Sequence, residues 1–163
     1  MKKIFVLFLL SILFTILDNT LVHFIAIQGY FPSLLFAFII LYSINNEGWI
    51  VIFLGIFSGF LQDVFFVHGF GINMLINMLC CYFTIIIGRS IFKGKIIIPV
   101  LTCFSLSIVK GIIILSMLFI YKEYISFSNI FFSSLYTFAI SIIMFKLVYK
   151  LSNLDFMQNK WRF

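Results

Sequence analysis

"GIFSGFLQDVFFVHGFG", residues 55–71, decides how this chain folds. The run of Phe, Leu and Val reads as membrane-spanning helix, yet it carries Gln62 and Asp63 side by side. An aspartate at the centre of a membrane helix costs roughly 3 kcal/mol even on lenient insertion scales. Gly55, Gly59 and Asp63 recur every four residues and therefore share one helix face. Small residues at that spacing let a second backbone come close. Asp63 then stands at the end of the close contact, where it bonds a neighbour's backbone or side chain. Gly69 and Gly71 suit a tight reversal with positive φ. Asn73 and Asn77 follow a turn apart at the start of the next apolar run. They are the nearest partners for Asp63, or else they cap that run or face the outer leaflet. The stretch thus predicts helix, reversal and helix, fastened by polar groups in an apolar setting.

The rest of the chain makes that setting a bilayer. Its 163 residues are 64% hydrophobic, 20% aromatic and 10% charged, with a mean hydropathy of +1.23. Soluble domains are about half apolar and about a quarter charged. An integral, all-α membrane protein is expected, as a single transmembrane domain over 1–163. Continuous apolar runs, without strand-like alternation, predict helices rather than a barrel. Cys80, Cys81 and Cys103 lie inside apolar runs without metal spacing and read as small fillers. The start, "MKKIFVLFLLSILFTILDNTLVHF", resembles a signal peptide, but no small-x-small site follows, so an uncleaved first span is expected.

About six spans can be drawn: 4–24, 33–44, 49–66, 72–92, 96–121 and 130–151. Pro32 ends the first connection, because it lacks an N–H and disfavours helix at Phe31. The second segment is too short to cross a bilayer upright and is expected to extend into a flank or to be shielded by its neighbours. With the N-terminus in the cytoplasm, nine basic residues fall inside: Lys2, Lys3, Arg89, Lys93, Lys95, Lys146, Lys150, Lys160 and Arg162. Lys122 alone falls outside, and Lys110 lies within a span. This positive-inside bias places both termini in the cytoplasm. It also accounts for the net charge of +6 without nucleic acid as a partner, and attraction to anionic lipid follows.

Asp18, Asp63 and Lys110 each lie 14 residues into a span running the same way, roughly 21 Å from the inner face. Buried charges are paired or neutralised. Lys110 is therefore expected to pair with Asp63, Asp18 or both. Such a cluster is either a structural bolt or part of a proton or substrate path. The bolt is favoured, since a path shows more ionisable groups and broken midplane helices. His23 and His68 at span ends, even with Asp63, make a poor metal set. No metal, cofactor or catalytic residue is expected. Phosphate loops, nucleophile elbows and triads are absent, so no enzyme reading follows.

Several of these features resemble the rod-shape-determining protein MreD family. They are "YFPSLL" with Pro32, the 55–75 stretch with Gly55, Gly59, Asp63 and Gly71, and Gly88–Arg89 at the end of span four. Ser33 stands where that family often has Asp, and Val67 and His68 replace a Pro or small residue at the reversal. The resemblance implies a non-enzymatic scaffold of the cell-elongation machinery in the cytoplasmic membrane. Its partners would be an MreC-like bitopic protein, a peptidoglycan glycosyltransferase and transpeptidase pair, and the MreB filament. It also implies a fold similar to the substrate-binding subunits of vitamin transporters. The alternative is such a substrate-capturing subunit, with Asp18, His23, Asp63, His68, Asn73 and Lys110 as its lining. The first span, "VLFLLSILFTIL", lacks the small-residue stripe that such subunits use for docking. A small transporter or proton channel is a third reading.

Overall fold

The computed structural model describes residues 2–25, 31–65, 70–90, 96–120, 122 and 127–153, with the backbone alone at 21–25. Gly69, His68, Lys93, Lys95, Lys160 and Arg162 lie outside the described residues, as does the side chain of His23. The described residues form six helices: α1 (Lys2–Ile25), α2 (Leu34–Asn45), α3 (Trp49–Val64), α4 (Ile72–Arg89), α5 (Ile97–Ile120) and α6 (Phe127–Ser152). Four of them, α1, α4, α5 and α6, are long and apolar enough to cross a membrane, whereas α2 and α3 are shorter.

Neighbours in sequence run antiparallel, and side-chain bonds mark the two ends of the bundle. At the near end, Arg89 closing α4 meets Glu47 before α3, at 3.3 Å. Asn46 after α2 donates to Ser152 of α6, at 3.0 Å. Lys2 and Lys150 are exposed at this end. The far end holds Asp18, Ser33, Gln62, Asp63 and Lys110, described below.

The short second segment is the axis of the bundle. Every residue from Leu35 to Ile44 is buried, and α2 packs against all five other helices. A helix apolar all round has no face to give to water. Here it has none to give to lipid either, because its neighbours cover it. The surrounding helices each turn a narrow stripe toward it. On α1 the stripe is Leu7, Ser11 and Thr15, and on α6 it includes Ser134, Thr137, Ser141 and Met144. Ser11 and Thr15 donate back to the carbonyls of Leu7 and Ser11, so the hydroxyls are satisfied within the helix. Large apolar side chains face the other way: Phe5, Leu9, Ile16, Phe53, Phe83, Ile97 and Ile143 are exposed. Small and hydroxylated inside, bulky and apolar outside is the pattern of helices packed in lipid.

The 55–71 stretch packs as its spacing predicts. A Cβ on Gly55 would lie 3.0 Å from the Asn77 carbonyl oxygen, and one on Gly59 would lie 2.3 Å from Met74 Cα. The glycine face is therefore used within the bundle, against α4. Gly71 adopts φ +100° immediately before α4, as the reversal requires. A second close approach involves Gly88 near the end of α4, where a Cβ would lie 2.5 Å from the Ile44 carbonyl oxygen of α2.

Candidate functional site

The far end gathers nearly all the polar residues singled out from the sequence, in a different pairing from the one expected. Asp63 faces α4. Its Oδ2 accepts from the backbone N–H of Gly71 (2.9 Å) and Met74 (3.1 Å). Its Oδ1 accepts from the backbone N–H and the side-chain amide of Asn73, both at 3.0 Å. The first N–H groups of any helix lack intrahelical acceptors and carry partial positive charge. Asp63 meets them from the preceding helix, so the carboxylate of α3 caps α4.

Asp18 repeats this arrangement one hairpin earlier. It accepts from the backbone N–H of Leu34 (2.7 Å) and Leu35 (3.0 Å) and from the Ser33 hydroxyl (3.3 Å). Ser33 is the N-cap of α2, and its hydroxyl accepts from Phe36 N–H at 3.2 Å. Pro32, just before the cap, is buried and has no N–H to satisfy there. Thus α1 and α3 each carry one acid near the far end, and each acid caps the helix that follows.

The expected ion pair between Lys110 and either acid is not formed. Lys110 Nζ donates to Gln62 Oε1 at 2.6 Å and to Asn77 Oδ1 at 2.8 Å. It also lies 4.8 Å from the centroid of the Phe36 ring. The physical reason is competition. Each carboxylate is already surrounded by backbone donors that have no other acceptor, whereas amide oxygens remain open to the ammonium. Asn77 correspondingly bonds Lys110, Gln62 (3.0 Å) and Ser58 (3.3 Å), and Asp63 bonds Asn73 alone of the two asparagines.

Gln62 is the hub of the cluster, bonded to Ser33, Asn77 and Lys110. Successive helix residues point about 100° apart, so Asp63 turns to α4 while Gln62 turns inward. Its Oε1 takes Lys110 and Asn77, and its Nε2 donates to Ser33 at 3.3 Å. Ser33 N–H in turn donates to Thr137 Oγ1 of α6 at 3.3 Å. One connected set of bonds therefore runs through α1, α2, α3, α4, α5 and α6 at a single level. Ser33 had a readable signal, a serine preceding an apolar run. The partnership of Thr137 had none.

Loss of Lys110 should expose this wiring. Lys110→Met is expected to lower unfolding stability in detergent. A double-mutant cycle with Gln62→Leu should return a coupling of about 1–2 kcal/mol, the range for side chains in direct contact. The cycle with Asp63→Asn should give clearly less. Equal couplings would mean that the ammonium is held by the acid.

Arg89 pairs with Glu47, and both are well exposed. Such a pair contributes under about 1 kcal/mol. Among the described residues no group of three or more His, Cys, Asp or Glu is placed to hold a metal ion. Cys80, Cys81 and Cys103 are buried free thiols.

The family model described as rod shape-determining protein MreD matches residues 1–154. No curated protein and no solved structure matches the chain. The match runs through all six helices and includes both acid-capped hairpins. The chain therefore belongs to the rod shape-determining protein MreD family, and that membership supports a role in determining rod shape.

Proposed function

We propose that the protein is a non-enzymatic scaffold of the lateral cell-wall synthesis machinery, held in the cytoplasmic membrane and binding an MreC-like bitopic partner. The observation that carries this reading is the state of its intramembrane acids. Both oxygens of Asp18 and of Asp63 are occupied by donors of the fold itself. Carboxylates spent on holding helices together suit a rigid frame. A proton path would need them free to exchange partners.

The exposed basic residues support both termini on the cytoplasmic side. Lys2, Arg89 and Lys150 share the near end, while Lys122 follows α5 at the far end. In that orientation the polar cluster sits in the outer half of the membrane. All six helices then cross or traverse most of the bilayer, with the shorter α2 and α3 sheltered by the rest. The bulky exposed faces of α1, α5 and α6 offer apolar surface to lipid and to a partner's single span. The glycosyltransferase and transpeptidase pair and the MreB filament are the further partners of such a frame.

The transporter-subunit alternative needs Asp63 and Asn73 in a ligand pocket. They bond each other and the start of α4, which argues against it.

The test is photo-crosslinking in living cells, from positions 9, 16, 112 and 143 in turn. A shape-determining scaffold gives one bitopic protein as the adduct from a contiguous stripe, and its depletion rounds the cells. Lipid adducts alone from every position, with unchanged cell shape on depletion, would overturn the reading.

A further inference from the structure

A cavity of about 400 Å³ lies between α5, α6 and the start of α2. Its deep part is polar, lined by Ser33, Ser107, Lys110, Ser134 and Thr137. Toward the far end of α5 the wall becomes apolar, with Ile114, Leu115, Leu118 and Ile130, and Asn129 stands there at the start of α6. Lys110 is only 9% exposed. An ammonium has three donors. Two go to Gln62 and Asn77, both neutral, and no carboxylate lies within ion-pair distance among the described residues. A buried cation with neutral partners, a spare donor and a void beside it is an incomplete arrangement.

We propose that this cavity binds a small amphipathic organic anion, its charged oxygens against Lys110 and its apolar body along Ile114, Leu115 and Leu118. Size agrees, since small-molecule sites commonly fall between about 300 and 1,000 Å³. The Ser134 hydroxyl, which accepts from Ser107 at 3.2 Å, keeps its own O–H as a further donor at the same depth. The polarity gradient selects among anions. From Lys110 to Leu118 is eight residues, or roughly 12 Å of helix rise. The charge therefore sits deep and the apolar wall lies nearer the end of the bundle. A bilayer phospholipid in its usual orientation has the opposite order, with its headgroup outermost. A free amphiphile that enters charge first fits. Inorganic phosphate would leave the apolar wall unused. The inference goes beyond the scaffold reading and stands whichever partner the protein binds.

The experiment uses the full chain in phosphatidylcholine nanodiscs, with octanoate as probe and octanamide as its neutral counterpart. Octanoate is expected to raise the unfolding temperature and to bind at least about tenfold more tightly than octanamide, the difference a charge-assisted contact makes. Lys110→Met should abolish that preference. Ile114→Trp fills the cavity, leaves the Gln62–Lys110–Asn77 bonds untouched, and should abolish binding of both compounds. It carries the test if Lys110→Met does not fold. Equal binding of the two probes would overturn the proposal, as would octanoate binding that survives Ile114→Trp. So would stabilisation by inorganic phosphate equal to that by octanoate. Stabilisation by phosphatidylglycerol nanodiscs that octanoate cannot add to would assign the site to a lipid headgroup and refute the free anion.

Discussion

Asp63→Leu should cost about 4 kcal/mol or more of folding stability and leave little folded protein in the membrane. The leucine is close in size and more apolar, so a hydropathy argument predicts the reverse. The bonds decide the sign. Three backbone N–H groups and one side-chain amide point at this carboxylate. The backbone donors belong to the N-terminus of α4, where no intrahelical acceptor exists. Each buried donor left without a partner costs about 1–3 kcal/mol, and hydrocarbon offers no water to replace the acid. Asp63→Asn keeps one oxygen and should lose roughly half as much. Thermal unfolding in mild detergent, with the yield of monodisperse protein, measures both. A Leu variant as stable as the parent would show that Asp63 is no cap. It would also remove the main support for the rigid-frame reading, which rests on both acids being committed.

Asp63 also shows what a sequence can and cannot disclose. Its place was legible: a helix face with two glycines, then an acid, then a glycine reversal. Helix bounds followed from the same apolar runs, and α3 begins at Trp49 and α4 at Ile72 as expected. The common depth of Asp18, Asp63 and Lys110 was legible too, because helix rise converts residue number into height. The partners were legible only in part: Asn73 was the nearest candidate for Asp63 and bonds it, whereas Lys110 goes to Gln62 and Asn77 and to neither acid. Pairing opposite charges ignores the strongest competing donors, which are backbone groups and have no letter in the sequence. Gln62 has no charge to mark it as a partner for Lys110, yet amide oxygens were the acceptors still open to the ammonium. The axial position of α2 was only half legible. "LLFAFIILYSI" reads the same whether lipid or protein surrounds it. Its shortness was the clue, since twelve residues cannot span a bilayer upright and are tolerated where other helices enclose them.

The second large effect is expected at Gly59, and it tests the packing independently of any charge. Gly59→Ala adds one methyl, which in an exposed helix would stabilise. Here the new Cβ would lie 2.3 Å from Met74 Cα and 2.4 Å from both the Met74 nitrogen and the Asn73 carbonyl oxygen. All three are backbone atoms, so no rotamer change relieves the clash. Helices α3 and α4 would have to separate by about 1 Å, a typical overpacking strain of roughly 3 kcal/mol. The separation would also pull Asp63 from Asn73 and Met74, because the acid follows Gly59 by one turn on the same face. Gly55→Ala meets Cys81 Sγ at 2.9 Å and the Asn77 oxygen at 3.0 Å, and should cost clearly less. A graded result, Gly59 well above Gly55, is therefore expected from unfolding midpoints. If Gly59→Ala were neutral, the two helices would not be in backbone contact. If it were destabilising only in the presence of the partner protein, the glycine face would belong to an interface between chains and α4 would not be its neighbour.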